Sequence, residues 1–343
     1  MNKKHVVWSL LKGKGLSIKK ITNLAKLLYS YISKNMGVGG YPAFLMVEPT
    51  NLCNLKCPLC PTGNNSLKAP RGFMDLKNYK KIIDELQDYL IHLSLWDFGE
   101  PFLHKDIYKM IGYAKEKGIF VQISTNGHFF KNKKNIKKLV GTGIDNLIIC
   151  LDGASQKTFS MYRRGGNFNT VIGNIKEIVL EKKKQEQKTP FVELQFVVMK
   201  HNEHEIPKIK KISKDIGADK LSLKTVTFDM YPGGEKKCNK YLPKDEKLSR
   251  YIRDKTGIKR KEKIRNSCLR LWFSSVINWD GSVVPCCYDP NRIWQFGNIF
   301  KEGTFKGVWN NEKYKNFRRR ILTNKKAVPM CKNCTGKLIR KLN

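Results

Sequence analysis

The stretch Glu48-Pro49-Thr50-Asn51-Leu52-Cys53-Asn54-Leu55-Lys56-Cys57-Pro58-Leu59-Cys60 decides how this chain is read. Three cysteines fall within eight residues, with three residues between the first two and two between the last two. Thiolates so spaced can grip one metal centre from a tight loop. A cubane iron–sulfur cluster takes a thiolate on each iron, so a tripod leaves one iron open to bind and activate a ligand. A zinc knuckle is the alternative, but it needs a fourth Cys or His close by, and none lies between Cys60 and His92.

Outward from this loop the pattern is regular. Apolar runs over 44–48, 91–98, 119–124, 146–151, 191–198 and 220–225 read as strands. Amphipathic stretches over 75–89, 105–117, 132–140, 167–181 and 203–216 read as helices. Strands alternating with helices imply parallel βαβ units. The expected fold is α/β, a partial (β/α)6 TIM-like barrel with functional residues at the carboxyl ends of strands, followed by a small C-terminal β-hairpin/helix domain. The expected divisions are a basic N-terminal segment over 1–43, the barrel over 44–226, a linker over 227–263 and the C-terminal domain over 264–343.

The cysteine loop, at the end of the first strand and before a helix, resembles the signature of the radical S-adenosylmethionine (radical SAM) superfamily. The resemblance implies that Cys53, Cys57 and Cys60 hold a [4Fe–4S] cluster whose open iron chelates SAM. It implies reductive cleavage of SAM to a 5′-deoxyadenosyl radical that abstracts hydrogen from a substrate. It also implies an electron donor such as a flavodoxin or ferredoxin. Leu59 stands where the family usually has an aromatic residue whose backbone faces the adenine. Gly99-Glu100-Pro101, after the second strand, resembles the family's Gly-Gly-Glu-Pro motif, with Phe98 in place of the first glycine. That motif holds the methionine amine of the cofactor. Ser124, Thr125 and Asn126 end the third strand, and Asp152 follows the fourth. The resemblance puts them near the cofactor, and it puts Arg163 on the cofactor carboxylate, which a guanidinium fits bidentately; Arg164 is its rival. Cys150, inside an apolar strand, reads as a buried small side chain.

A second set of cysteines lies downstream. Cys268 precedes two β-rich runs joined by Asp280-Gly281, a hairpin signal. The hairpin brings Cys268 near Cys286, and Cys331-Lys332-Asn333-Cys334 adds a second pair. Four thiolates can saturate a tetrahedral zinc or every iron of a cubane. This arrangement resembles the SPASM/twitch extension of radical SAM enzymes, which implies an auxiliary [4Fe–4S] cluster held by Cys268, Cys286, Cys331 and Cys334. Cys286 keeps the spacing from Gly281, and Cys287 is its rival. The chain ends nine residues after Cys334 without further cysteines, which resembles the one-cluster twitch form.

Composition narrows the function. The net charge is +37, no acidic residue precedes Glu48, and none follows Glu312. Such ends suit an anionic lipid surface, a phosphorylated substrate or nucleic acid, or simply a lysine-rich surface. Ile21, Leu24, Ala25, Leu28 and Ile32 recur at helical spacing among lysines. That basic amphipathic helix can lie on a membrane or cover one end of a barrel. No apolar run is long enough to span a bilayer, and no secretory signal is evident. Ten cysteines in a non-secreted chain point to metal ligands rather than disulfides. The expected location is cytoplasmic, or peripheral to the inner membrane face.

An auxiliary cluster without an open iron suits electron transfer. Relatives of the twitch type oxidise or epimerise sugars, and others modify ribosomal peptides. About forty residues precede the barrel, fewer than a peptide-recognition domain needs. The expected substrate is therefore small or carbohydrate-like, with peptide or protein modification as the alternative. Cys238 in the linker could serve as a hydrogen donor in an epimerase. A zinc-bearing nucleic-acid binder is the distant alternative, and no nucleic-acid motif supports it.

Overall fold

Asp75, Asn132, Ser155 and Asn167 each open a helix, and in each case the side-chain oxygen accepts a hydrogen bond from a backbone N–H two or three residues on. Gly118, Gly143 and Gly217 follow helices at positive φ, where a residue with a Cβ is strained. These local signals punctuate an alternation of strand and helix. The computed structural model describes residues 17–130, 132–228, 237–254 and 257–336. In chain order the main elements are α1 (Ile18–Ile32), β1 (Phe44–Val47), α2 (Leu76–Leu86), β2 (His92–Ser94), α3 (Ile107–Glu116), β3 (Phe120–Thr125), α4 (Lys133–Gly141) and β4 (Asn146–Cys150). Then come α5 (Gln156–Tyr162), α6 (Phe168–Lys184), β5 (Phe191–Val198), α7 (Ile206–Asp215), β6 (Lys220–Thr225), β7 (Tyr251–Asp254), β8 (Gly257–Arg260), β9 (Ser274–Ile277), β10 (Ser282–Val284), β11 (Gly297–Asn298) and α8 (Glu312–Asn324). The α/β class with a parallel sheet is as expected.

The chain divides into two compact units. One comprises residues up to Leu52, Ala69–Gln122 and Ile264–Arg340. Within it β1 pairs in parallel with β2, Phe44 opposite His92, and β2 with β3, His92 opposite Phe120. The C-terminal part joins the same sheet. β9 pairs in parallel with β1, Phe44 opposite Ser274, and β10 and β11 follow antiparallel. The turn between β9 and β10 is the anticipated Asp280-Gly281, with Gly281 at φ +85°. The other unit comprises Cys53–Lys68 and Ile123–Lys263, with the terminal residues beyond the described ones. There β4, β5 and β6 run parallel, Asn146 opposite Phe191 and Glu193 opposite Lys220. Every residue of β4 is buried, as a strand covered on both faces requires.

Two expectations change. The second strand is shorter than 91–98, because after Ser94 the chain turns into the Gly99 loop. The 227–263 segment, expected as a linker, carries structure of its own: β7 and β8 form an antiparallel hairpin, Tyr251 opposite Arg260, after a single helical turn at Cys238–Tyr241. Pro232, Gly233 and Gly234 lie outside the described residues. Among those described, no helix is long and apolar enough to cross a membrane.

His92 in β2 gives the fold a measurable pH dependence. It is buried and stacks on Phe120, with ring centroids 5.2 Å apart. Burial pulls its imidazole down to about 4. The unfolded chain therefore binds a proton more readily between about pH 4 and 6.5, so stability falls as pH falls through that window. Lowering the pH from 7.5 to 5 should cost the wild type about 2 kcal/mol through this residue. His92→Phe keeps the stack and should remove that loss. Urea unfolding of both proteins at the two pH values checks this; an unchanged difference would exclude His92 as the source.

Candidate active site

The three-cysteine loop is built from tight local turns. Cys60 N–H donates to the Cys57 carbonyl at 3.1 Å, and Leu55 N–H donates to Cys53 Sγ at 3.4 Å. Gly63 packs so closely that a Cβ there would lie 2.5 Å from Cys57 N. The Lys56 N–H donates to the Arg164 carbonyl at 2.9 Å, which ties the loop to the segment after α5. Among the described residues no three His, Cys, Asp or Glu side chains converge tightly enough to hold one metal ion. A cubane asks for something else, since each thiolate takes a different iron.

A relay of buried charges reaches this loop. Asp152, fully buried, accepts from Val197 N–H at 2.7 Å through one oxygen and pairs with Arg163 at 2.6 Å through the other. Arg163 Nη1 then donates to Cys57 Sγ at 3.8 Å. Burial pushes the Cys57 thiol up to about 12, and the Arg163 guanidinium works against that shift. Cys53 and Cys60 are close enough to add to it. The arrangement therefore places a fixed cation where thiolate charge accumulates. Asn126 Nδ2 donates to Asn54 Oδ1 at 2.7 Å and approaches Cys53 Sγ at 3.9 Å, so the end of β3 also braces the loop.

The other nominated residues fall as follows. Thr125 Oγ1 accepts from Gly127 N–H at 3.1 Å, and Ser124 Oγ lies 3.5 Å from Cys150 Sγ. Cys150, read as plain packing, is thus in polar contact, with Gln195 Nε2 donating to it at 3.6 Å. Leu59 and Cys238 are both buried in one apolar cluster with Met199, Phe228, Tyr241 and Tyr251. Lys237 Nζ donates to the Pro58 carbonyl at 2.9 Å. The segment after β6 is therefore packed onto the cysteine loop rather than loosely draped.

In the other unit, Gly99 has φ +92°, and a Cβ would stand 2.5 Å from the Thr50 carbonyl and 2.7 Å from that of Leu52. Only glycine fits there. The next residue, Glu100, donates its N–H to the Leu52 carbonyl at 2.7 Å and accepts from Phe102 N–H at 3.1 Å, with Pro101 opening that turn. These bonds hold the Gly99-Glu100-Pro101 turn against Thr50–Leu52, the residues leading into Cys53. Glu48, at the end of β1, accepts from Asn278 Nδ2 at 3.4 Å and faces Arg292 at 3.7 Å. Burial holds its carboxyl up at about 7.

The C-terminal thiols also gather in that unit. Burial raises Cys268, Cys286 and Cys331, the last to about 12. Beyond burial, Cys331 feels Cys268 and Cys334, and Cys286 feels Cys287, Cys331 and Cys334. Cys286 is thereby linked to the Cys331/Cys334 pair. Two cations oppose these shifts. Lys325, fully buried, donates to the Ser267 carbonyl at 2.8 Å, and Arg270 sits among Cys268, Cys286, Cys287 and Cys334. Leu269 N–H donates to the Gly336 carbonyl at 3.1 Å, which stitches the knuckle to the Cys268 end. Sequence reasoning missed Arg270, Arg292 and Lys325, and it gave Glu48 no role although that residue opens the deciding stretch. A Lys or Arg in so basic a chain gives no local sign of burial.

Comparison with known proteins agrees with this geometry. The family model described as the radical SAM superfamily matches residues 47–212, and the model described as an iron–sulfur cluster-binding domain, SPASM, matches residues 268–335. The chain belongs to the radical SAM superfamily. It carries a C-terminal SPASM domain, and the cofactors of this radical SAM enzyme are SAM, a SAM-binding [4Fe–4S] cluster and auxiliary iron–sulfur cluster content. The tungsten-containing aldehyde ferredoxin oxidoreductase cofactor-modifying protein of Pyrococcus furiosus is 23% identical over 337 residues, covering 85% of this chain and 87% of the relative. Among solved structures, Streptococcus suis SuiB bound to precursor peptide SuiA aligns with a TM-score of 0.63 at 15% identity, covering 92% of this chain and 75% of SuiB. BtrN in complex with AdoMet and 2-DOIA aligns with a TM-score of 0.51 at 20% identity, covering 88% of this chain and 96% of BtrN. At these identities the two structures establish the fold.

Proposed function

We propose that this radical SAM enzyme removes a hydrogen atom from a small, sugar-like molecule or glycoconjugate and so oxidises or epimerises it. In this reading Cys53, Cys57 and Cys60 hold the SAM-binding cluster, and Cys268, Cys286, Cys331 and Cys334 hold the auxiliary one. When bound, the first cluster, charged by a flavodoxin- or ferredoxin-type donor, supplies the electron that splits SAM to methionine and the 5′-deoxyadenosyl radical, and the auxiliary cluster can take up the second electron of an oxidation. The chain's own groups bind and orient. Glu100, with Gly99 and Pro101, receives the methionine amine, and Ser124, Thr125, Asn126 and the Leu59 backbone line the cofactor. Arg163 is committed to Asp152 and Cys57, which favours Arg164, exposed one residue on, for the cofactor carboxylate.

The observation that carries this reading is that the SPASM match spans Cys268, Cys286, Cys331 and Cys334, thiols that lie within electrostatic reach of one another. Four such ligands would leave no open iron for substrate, which favours electron transfer as the role of this cluster. Oxidation of a CH–OH group then balances: one hydrogen leaves as an atom to the 5′-deoxyadenosyl radical, giving 5′-deoxyadenosine, the other leaves as a proton, and the remaining electron goes to the acceptor. Epimerisation instead returns a hydrogen atom, for which Cys238 is the candidate; its thiyl radical would then take up one electron from the flavodoxin- or ferredoxin-type donor and one proton. A peptide substrate is the second reading, favoured by the likeness to SuiB, whose solved complex holds a precursor peptide.

The test is 5′-deoxyadenosine formation by the anaerobically reconstituted enzyme with panels of sugars, glycoconjugates and peptides. A sugar that raises the rate and emerges lacking two hydrogens supports oxidation. One that emerges at the same formula carrying a solvent deuterium supports epimerisation, and activity surviving in Cys238→Ala would then remove that thiol as donor. Stimulation by peptides alone would overturn the sugar reading.

A further inference from the structure

The helix α1 (Ile18–Ile32) is docked with the opposite orientation to that of an ordinary surface helix. Its buried residues are Lys20, Asn23, Leu27 and Ser30. Asn23 is clamped to Tyr41 by two hydrogen bonds of 2.8 Å, one in each direction. Ser30 Oγ accepts from Gly39 N–H at 3.1 Å, and Lys20 Nζ donates to the Gly118 carbonyl at 3.3 Å. Tyr31 completes the seat with an edge contact to Trp272 at 5.6 Å. The mostly polar side thus holds the helix down, and the apolar side is left outward. Ile18, Tyr29 and Ile32 are more than two-thirds exposed, and Ile21 and Leu28 about half. With Ala25 they fall within an arc of about 100° at helical spacing. Of the ten exposed large hydrophobic side chains among the described residues, five lie on this one helix.

We propose that this face is a docking surface for an anionic phospholipid bilayer, on which the enzyme rests through α1. Concentrated apolar surface that the fold has turned away from its own core marks an interaction site. Charge selects the occupant. The first 47 residues contain eight lysines and no acidic residue; Lys26, exposed, edges the apolar arc, and the exposed Lys19 beside it is paired with Asp88 at 2.7 Å. An apolar helix face edged by lysines, with a tyrosine at its border, is the composition that lies in a lipid headgroup layer. A second copy would bring two faces of net positive charge together, with Lys26 on each and Lys19 offset by Asp88. Residues 1–16, themselves carrying four lysines, would add the same charge if they covered the face. The proposal goes beyond the reaction and holds for whichever substrate the site takes.

The test is co-sedimentation of the full chain with vesicles of phosphatidylglycerol and phosphatidylcholine, and with phosphatidylcholine alone. Wild type should bind the anionic vesicles, bind the neutral ones weakly, and release in high salt. Ile21→Glu/Leu28→Glu, both on the exposed arc, should lower partitioning at least about tenfold. Lys26→Glu, which leaves the apolar arc intact, should lower it about fivefold. Absence of anionic-vesicle binding by wild type, or equal binding by all three proteins, overturns the proposal. So does a wild-type dimer that the double variant turns into a monomer without any vesicle effect, which would assign the face to a second copy. Binding that appears only after deletion of residues 2–16 would assign it to that segment and overturn the proposal equally.

Discussion

Cys57→Ala should abolish SAM cleavage, lowering 5′-deoxyadenosine formation by about three orders of magnitude or more, to background. Of the three thiols in the loop, Cys57 is the most enclosed and the one that Arg163 faces. Removing it takes away one corner of the tripod and leaves the guanidinium of Arg163 with Asp152 as its remaining charged partner among these contacts. The side chain lost is small, and the loop keeps its backbone bonds, so the fold should survive. The measurement that separates ligand loss from unfolding is iron content after anaerobic reconstitution. Wild type should hold about eight irons per chain and the variant about four, the auxiliary cluster remaining. Cleavage at the wild-type rate would refute Cys57 as a ligand. About four irons in the wild type and none in the variant, with zinc bound, would make the C-terminal site structural and withdraw the electron acceptor on which the oxidation reading depends.

Arg318→Leu should cost about 3–5 kcal/mol of stability in the unit that carries the C-terminal segment. Arg318 in α8 is fully buried. Its guanidinium donates to the carbonyls of Leu271, Met36 and Trp309 at 3.1, 2.8 and 3.1 Å and to Asn310 Oδ1 at 3.0 Å. It also lies 4.6 Å from the Trp309 ring and 4.2 Å from that of Tyr314. Burial lowers its pKa only to about 10, so it stays charged at neutral pH, and this cage of carbonyls and rings compensates the charge. Leucine would leave the buried Leu271 and Trp309 carbonyls without this donor and take one from the Met36 carbonyl, while Asn310 Oδ1 would keep the Val38 N–H. Arg318→Lys should recover little, because a single ammonium cannot span carbonyls arranged for a planar fork. Denaturant unfolding of the three proteins checks the ranking; a loss below about 1 kcal/mol in Arg318→Leu would mean the cage is dispensable.

Much of this chain could be read locally, because the relevant physics is local. The three cysteines are set by spacing within one loop. Gly99 stands out through the motif it resembles, although the Thr50 and Leu52 carbonyls that require glycine there came from the fold, and helix starts such as Asp75 and Asn167 are signalled by their caps. The alternation of strands and helices follows from side-chain periodicity, and with it the α/β class. Long-range decisions were not legible in this way. Arg163 was expected on the cofactor carboxylate from its motif, and only the fold shows that it also reaches Cys57, 106 residues away along the chain. Periodicity identified the two faces of α1, but which face is covered depended on hydrogen-bond partners in Tyr41, Gly39 and Gly118. The linkage of Cys286 to Cys331 and Cys334, and the seating of Lys325 and Arg270 among them, arose only when distant segments met.

The sequence by itself thus determined the expected chemistry, since three closely spaced cysteines and their neighbouring turns are written in residue types a few positions apart. Tertiary structure alone decided which charges face the thiols, how β9 extends the sheet beside β1, and which side of α1 meets solvent. Those outcomes depend on burial and pairing between segments, and a charged or apolar side chain carries no local mark of the partner it will find.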